Sequence, residues 1–448
     1  MKRFTLNKLL NWKQASDRKP LMFLGARQVG KTWLVKEFAR LYYQRCIYIN
    51  FDKDRQMAGV FEKDFDMKRI IMSLEILGGG RIVPEETLIF LDEIQECPSA
   101  VTSLKYWCED AGEYHVIAAG SLLGVADLQG TGFPVGKVDR LYLNPMTFGE
   151  FLEATDNGML LQLIESRDWK MMEIFNDKIT DLLRYYYFVG GMPAVVASFA
   201  AERDFGKVRR IQQALLADFH DDFGKHVPKD IKGKIEMIWD VIPSQLAKEN
   251  KKFKFVDVGK GESSTTLESA FSWLKGSGLI SLAHKVTKPS IPLSSYKDDA
   301  FKVYFLDVGL LAAASSLKAK VILEGNRIFQ EFKGALTEQY VQQQLLAEHG
   351  VKPYYWTSSS GQAEVDFIVE NDEGIFPLEA KASRNLQAKS LKLFCQKFQP
   401  AFAVRASMSH YYKQEIPFEE AKSTNTKYTL FDIPLYAISQ IMNELKCF

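Results

Sequence analysis

Over the first 160 residues, short apolar runs alternate with longer stretches of mixed polarity. The runs are Leu21–Leu24, Cys46–Phe51, Thr87–Leu91 and His115–Ala119, and Arg140–Leu143 follows as a fifth. Apolar runs of this length, separated by helix-length segments, predict strands of a parallel sheet covered on both faces. Ligands of such sheets bind beyond the carboxyl ends of the strands, so the residues just after each run are the ones to read for chemistry. From about 160 to 325 the pattern is helical, broken by Gly190-Gly191-Met192-Pro193 and by polar loops. Ser244-Gln245-Leu246-Ala247 reads as the opening of a small helix, and Thr265–Leu274 carries helical spacing that stops at Gly276-Ser277-Gly278. Strands are expected at Leu279–Val286 and Val303–Leu306, and helix, helix, hairpin predicts a winged helix-turn-helix. Phe329–Leu346 then reads as a long helix, with Phe332, Leu336, Tyr340 and Leu345 near helical spacing. Two more strands follow at Val365–Val369 and Ile375–Lys381. The expectation is an α/β chain of three domains, residues 1–160, 161–325 and 326–448.

Composition agrees with that division. The chain has 448 residues, 46% of them hydrophobic and 25% charged, which is ordinary for globular domains and excludes disordered, collagen-like and disulfide-scaffold classes. Lys plus Arg number 57 against 56 Asp plus Glu, so no global field draws the protein to a polyanion. Nucleic acid would have to meet a local patch. Residues 225–260 supply nine lysines against five acids, which reads either as a grip on DNA phosphates or as the solvated face of a module that contacts protein. Five scattered cysteines (Cys46, Cys97, Cys108, Cys395, Cys447) form no metal-ligand pattern and fit reduced thiols in the cytoplasm. Tyr185–Ala201 is uncharged but too short to span a membrane, and it is interrupted by glycine and proline. No membrane association is expected.

After the first strand comes Gly25-Ala26-Arg27-Gln28-Val29-Gly30-Lys31-Thr32, then Trp33 at the start of an amphipathic stretch. Glycines at this spacing let the backbone wrap a phosphate with its N–H groups at the positive end of a helix. Lys31 would reach the β- and γ-phosphates, and Thr32 would ligate Mg²⁺. The third strand ends at Asp92-Glu93. The first acid is placed to orient Mg²⁺ through its water shell, the second to polarise the attacking water. The fourth strand ends at Gly120-Ser121, where Ser121 is either a γ-phosphate contact or an ordinary turn serine. Arg140 reads as a phosphate contact or a salt-bridged surface residue.

The segments GARQVGKT, LIFLDEIQECPSAVTSLKYW, HVIAAGSLLG and RLYLNPMTFGEFL together resemble the AAA+ superfamily ATPases of bacteria and archaea, over about residues 18–155. That resemblance implies an ATPase core that binds ATP or ADP with Mg²⁺ and has Ser121 in the sensor position. No arginine finger is evident, so the sequence leaves the oligomeric state open. The likeness continues through Tyr187-Phe188-Val189-Gly190-Gly191-Met192-Pro193 and Val303–Leu310, which match the extension such ATPases carry.

A second set of charges lies near the end of the chain. Period-two alternation puts Glu379 and Lys381 on one face of their strand, and Asp366 is placed to lie beside Glu379 on a neighbouring one. Two carboxylates about 4 Å apart repel by about 4 kcal/mol at an effective dielectric near 20. A divalent ion would relieve this, with Mg²⁺ or Mn²⁺ held by Asp366 and Glu379 and with Lys381 stabilising developing charge. The plainer reading is a Glu–Lys cross-strand pair with Asp366 at a strand edge. Glu338 on the upstream helix, Asp366, Glu379 and Lys381 together resemble the restriction-endonuclease-like PD-(D/E)xK superfamily over about residues 328–408, although Ala363-Glu364-Val365-Asp366 lacks the proline-aspartate pair. This likeness implies a nuclease-like α/β domain acting on or binding DNA, in a fold that also serves as a non-cutting DNA-binding or protein-binding module.

Overall fold

A computed structural model describes residues 1–121, 133–248, 251–320, 327–372, 374–382, 388–419 and 426–445. The chain forms two compact units. One comprises Lys2–Asn144 with Gly276–Leu279, and the other comprises Met1, Pro145–Lys275 and Ile280–Phe448.

In the first unit the expected strands form within a residue or two of their sequence limits. They are β1 (Leu21–Gly25), β2 (Arg45–Asn50), β3 (Thr87–Asp92), β4 (His115–Ser121) and β5 (Asp139–Tyr142). All are parallel and lie in the order β2-β3-β4-β1-β5. Every residue of β1 and β3 is buried, as strands covered on both faces require. The helices α1 (Thr5–Gln14), α2 (Lys31–Tyr42), α3 (Arg55–Glu62), α4 (Met67–Leu77) and α5 (Pro98–Glu109) connect them. Ile49, Phe61, Ile70, Leu74, Ile89, Leu104 and Trp107 belong to one apolar core in this unit. The sheet brings the ends of β1 and β4 together, with Gly25 in register with Ser121.

The second unit contains a helical array and an eight-stranded mixed sheet. Its helices are α6 (Phe148–Ala154), α7 (Gly158–Ser166), α8 (Trp169–Val189), α9 (Pro193–Glu202), α10 (Phe205–His226), α11 (Lys229–Leu246), α12 (Ser264–Gly276), α13 (Val308–Ala314), α14 (Arg327–His349), α15 (Lys389–Phe398) and α16 (Ile441–Leu445). The uncharged run 185–201 is thus split between α8 and α9 at the glycine pair. No helix among the described residues is long and apolar enough to cross a membrane.

One sequence expectation is overturned here, because Ser244–Leu246 closes a helix instead of opening one. The buried stripe Ile235, Ile238, Trp239, Ile242 and Leu246 carries α11 through Pro243. Packing at 3.6-residue spacing outweighs the single lost N–H.

The sheet runs β12-β13-β11-β10-β9-β8-β6-β7. Its strands are β6 (Ile280–Val286), β7 (Lys297–Phe305), β8 (Tyr354–Thr357), β9 (Glu364–Asn371), β10 (Gly374–Ala380), β11 (Phe402–Ser407), β12 (Tyr412–Pro417) and β13 (Lys427–Pro434). The hairpin of β6 and β7 joins the sheet through a parallel step from β6 to β8. β7 begins six residues before the expected Val303, at Lys297, so it contains Lys302.

The two family-like segments meet inside this unit. A side chain on Gly190, whose φ is +74°, would lie 2.0 Å from the Asp307 carboxylate, so only glycine fits there. Asp307 is fully buried and accepts hydrogen bonds from the backbone N–H groups of Gly191 (2.6 Å) and Leu310 (3.0 Å) and from Gln343 (3.1 Å). Burial pushes its pKa up, and these donors hold it down in part.

Candidate functional site

The glycine-rich loop sits between β1 and α2. Gly30 is left-handed (φ +95°) and caps α2 without a side chain, which leaves the first-turn N–H groups to a ligand. Gly25 is held by a close approach, since a Cβ there would meet the Leu143 carbonyl oxygen at 2.5 Å. Arg27, Gln28, Val29 and Gly30 form the bend between strand and helix, with Gln28 also left-handed (φ +64°). The loop is therefore a formed cradle of suitable chemistry for phosphate.

Lys31 is buried, and its ammonium donates to the carbonyl oxygens of Gly25 and Ala26, each at 2.9 Å. Burial lowers its pKa to about 8, against the pull of Glu93 and Asp92. The Thr32 hydroxyl donates to Asp92 Oδ2 at 2.9 Å, so the two groups expected to face one cation are already neighbours. Asp92 is only 2% exposed, and burial raises its pKa while Thr32 and Tyr48 oppose the rise. Glu93 follows in a left-handed conformation (φ +51°), and Gln95 donates to its Oε2 at 2.6 Å. This strained backbone turns Glu93 away from the direction of the strand. Trp33 is 46% exposed at the start of α2. Ser121 ends β4 beside Gly25, and its side chain lies outside the described residues. The Arg140 guanidinium stacks over the Phe133 ring at 4.8 Å.

Two participants were not found in the sequence. Tyr48 donates to Asp92 Oδ2 at 3.0 Å from the neighbouring strand β2. Arg3, 5% exposed, donates to the Val29 carbonyl at 3.0 Å and to the Asn144 carbonyl at 2.6 Å. The only sequence signal for Tyr48 is its position just before the end of a strand whose neighbour ends in Asp92. Arg3 gives none, because its partners are 26 and 141 residues away.

In the second unit the antiparallel register of β9 and β10 pairs Phe367 with Leu378, which sets Asp366 next to Glu379. The Ala380 N–H donates to Asp366 Oδ2 at 2.9 Å. Lys381 lies 2.5 Å from Glu379 Oε1, while Glu379 Oε2 is buried without a partner. Glu338, from α14, joins this group with company the sequence did not announce. Lys251 pairs with its Oε1, and Lys302 is 3.3 Å from its Oε2. Lys302 is 0% exposed and also lies 2.5 Å from Glu364 and 3.9 Å from Asp366. Burial pushes Glu338 up, but the two ammonium groups overcome this and hold its pKa at about 2. Burial raises Asp366 well above the usual carboxylate range, with Glu338 and Glu379 adding to it, and raises Glu379 as well. For Lys302, burial works against the charged form, but the surrounding carboxylates prevail and lift its pKa. No group of three or more His, Cys, Asp or Glu side chains among the described residues is arranged to hold a metal ion.

Four of the nine lysines in the basic stretch 225–260 have named partners. Lys232 pairs with Glu236, Lys248 with Asp257 and Lys251 with Glu338, and Lys234 donates to the Thr266 carbonyl. The side chain of Lys225 lies outside the described residues. Cys46, Cys97, Cys108 and Cys395 are free thiols, and Cys447 lies outside the described residues.

Comparison with curated proteins finds no match. Among solved structures, a Walker-type ATPase of Pyrococcus abyssi is 13% identical, with a TM-score of 0.44 over 70% of this chain and 95% of that one. The Aeropyrum pernix ORC1 protein, solved in complex with DNA, is 12% identical (TM-score 0.31, 71% of this chain and 93% of that one). Cdc6p from Pyrobaculum aerophilum is 13% identical (TM-score 0.25, 72% and 94%). Two domains of unknown function match, DUF8612 over residues 180–321 and DUF4143 over residues 333–424. Residues 17–152 match the AAA domain, a range that contains the phosphate loop, β1 to β5 and the Asp92-Glu93 pair. These residues are a P-loop ATPase domain of the AAA kind.

Proposed function

We propose that the protein is a Mg²⁺-dependent ATPase whose nucleotide state is read out by a C-terminal, restriction-endonuclease-like domain that acts on or binds DNA. A winged-helix connector built from α11, α12 and the β6–β7 hairpin would link the two, in the three-part division 1–160, 161–325 and 326–448. The observation that carries the ATPase reading is the contact between Thr32 and Asp92 at the mouth of a formed phosphate loop. Lys31 exchanges the carbonyls of Gly25 and Ala26 for phosphate oxygens, and its charge opposes the charge that develops during transfer. Thr32 and Asp92 would hold Mg²⁺, with Tyr48 donating to the same Asp92 oxygen as Thr32 and fixing the carboxylate. Glu93 orients water for in-line attack and accepts its proton. The bound Mg²⁺–ATP supplies the electrophilic phosphorus. Calorimetric titration of the full chain with ATP, with and without Mg²⁺, tests this, and no heat in either condition refutes it.

One observation favours a second reading, an ATP-dependent switch whose end domain binds a partner without cutting. Lysines from outside the motif, Lys251 and Lys302, already neutralise the carboxylates that a nuclease would offer to metal. The nuclease reading predicts DNA cleavage with Mg²⁺ or Mn²⁺ that Asp366→Ala and Lys381→Ala abolish. The switch reading predicts none under any metal, with partner binding kept in Asp366→Ala.

A further inference from the structure

A carboxylate nuclease site needs oxygen atoms left over for a divalent ion, which for Mg²⁺ means near-octahedral ligands at about 2.0–2.1 Å. In the second unit's cluster most of those oxygens are already engaged by lysines or backbone. Both oxygens of Glu338 face ammonium groups, one that of Lys251 and the other that of Lys302 at 3.3 Å. Asp366 gives one oxygen to the Ala380 N–H at 2.9 Å and turns the other towards Lys302 at 3.9 Å. Glu379 Oε1 is taken by Lys381 at 2.5 Å, and Glu364 is taken by Lys302 at 2.5 Å. Glu379 Oε2 is buried without a partner, one oxygen where near-octahedral Mg²⁺ needs several. Four carboxylates thus meet three ammonium groups, and a doubly charged ion would bring excess positive charge into a buried place. Lys302 cannot step aside into water, because it is fully buried on β7 with its ammonium 5.1 Å from the Tyr355 ring centre.

We propose that this cluster is a metal-free, lysine-charged centre, in which the buried ammonium of Lys302 does the neutralising that a divalent ion does in a carboxylate nuclease. The donor set therefore disagrees with the metal that the nuclease-like resemblance implies. The inference rests on the switch reading and sharpens it, since a domain whose acids are tied to lysines recognises a partner instead of hydrolysing one.

The test uses the full chain without nucleotide and counts bound Mn²⁺ by electron paramagnetic resonance. The wild type and Asp366→Asn are expected to bind the same number of ions. One more ion in the wild type overturns the proposal. In Lys302→Met, of similar length but uncharged, Glu338, Glu364 and Asp366 lose their shared cation. Mn²⁺ binding is then expected to tighten at least tenfold, and the thermal midpoint to rise with added Mn²⁺ where that of the wild type does not. A folded Lys302→Met protein with unchanged Mn²⁺ affinity also overturns it. If that variant does not fold, the comparison of wild type with Asp366→Asn decides alone. Incubation with supercoiled DNA and Mn²⁺ separates the two ideas. An extra ion without cutting defeats the lysine centre only, whereas cutting lost in Asp366→Asn defeats the switch reading as well.

Discussion

The two charged sites of this protein use the same residue types to opposite ends. At the phosphate loop, one buried lysine is held only by backbone carbonyls, and two acids stand beside it, one half engaged by hydroxyls. Among the described residues no carboxylate reaches this lysine at contact distance, and burial pulls its pKa down to about 8. In the C-terminal cluster each lysine faces a carboxylate, and the ammonium groups of Lys302 and Lys381 are held in their charged form. A cation left short of partners is poised for a ligand's charge, whereas one surrounded by acids has already spent its electrostatic interactions on the fold.

That contrast breaks most readily at Lys31. Lys31→Ala is expected to lower ATP turnover by roughly 10²–10³-fold, the range for losing one preorganised charge-stabilising donor. The thermal midpoint should barely move, and steady-state phosphate release with a melting curve checks both. In the other cluster the effect should fall on stability. Glu338→Gln leaves Lys251 and Lys302 facing a neutral amide, and a cost of about 3 kcal/mol is expected from removing one member of a buried ion pair. Urea unfolding measures it, and an unchanged midpoint would mean the charge cluster carries no stability.

A third test uses pH on the first unit. His115 is buried, and its Nδ1 lies 2.7 Å from the Tyr43 hydroxyl. Burial lowers its pKa from 6.5 to about 4, with the charges of Arg18 and Lys13 adding to the effect. Between those values the unfolded chain binds the proton and the folded one does not, so stability is lost as pH falls from about 6.5 towards 4. The loss is on the order of 3 kcal/mol at most. His115→Gln should flatten that slope in denaturation curves taken at several pH values. The smallest effect is expected at Tyr48. Tyr48→Phe removes one hydrogen bond to Asp92, worth about 1 kcal/mol, and should raise the Mg²⁺ concentration for half-maximal turnover a few-fold.

The first site was legible because its parts are local. Gly25 to Thr32 lie within one bend, and the apolar runs before Asp92 and Ser121 mark their strands without any tertiary knowledge. The second was legible only in its acids. Glu338, Asp366 and Glu379 fall on the expected helix and strands, but Lys302 and Lys251 reach Glu338 from 36 and 87 residues away. One signal was present, since a lysine inside Phe301-Lys302-Val303-Tyr304-Phe305 sits in an otherwise apolar strand and needs a buried partner. Starting that strand at Val303 hid it. Strands β11 and β13 escaped notice for a related reason. Arg405 and Asp432 break their apolar runs, although the two side chains pair with each other across the strands at 2.5 and 2.9 Å. β12 escaped notice because its side chains are exposed or half-buried throughout at the sheet edge.

One guanidinium clasps both the bend that cups phosphate and the point where the chain quits the parallel sheet. Arg3 holds Val29 at one end and Asn144 at the other, and Pro145 begins the next unit. A movement of Val29 on phosphate binding is thereby tied to Asn144, the last residue of the first unit. Changed amide exchange at Leu143 and Asn144 on adding nucleotide, absent in Arg3→Ala, is the trace such a tie would leave.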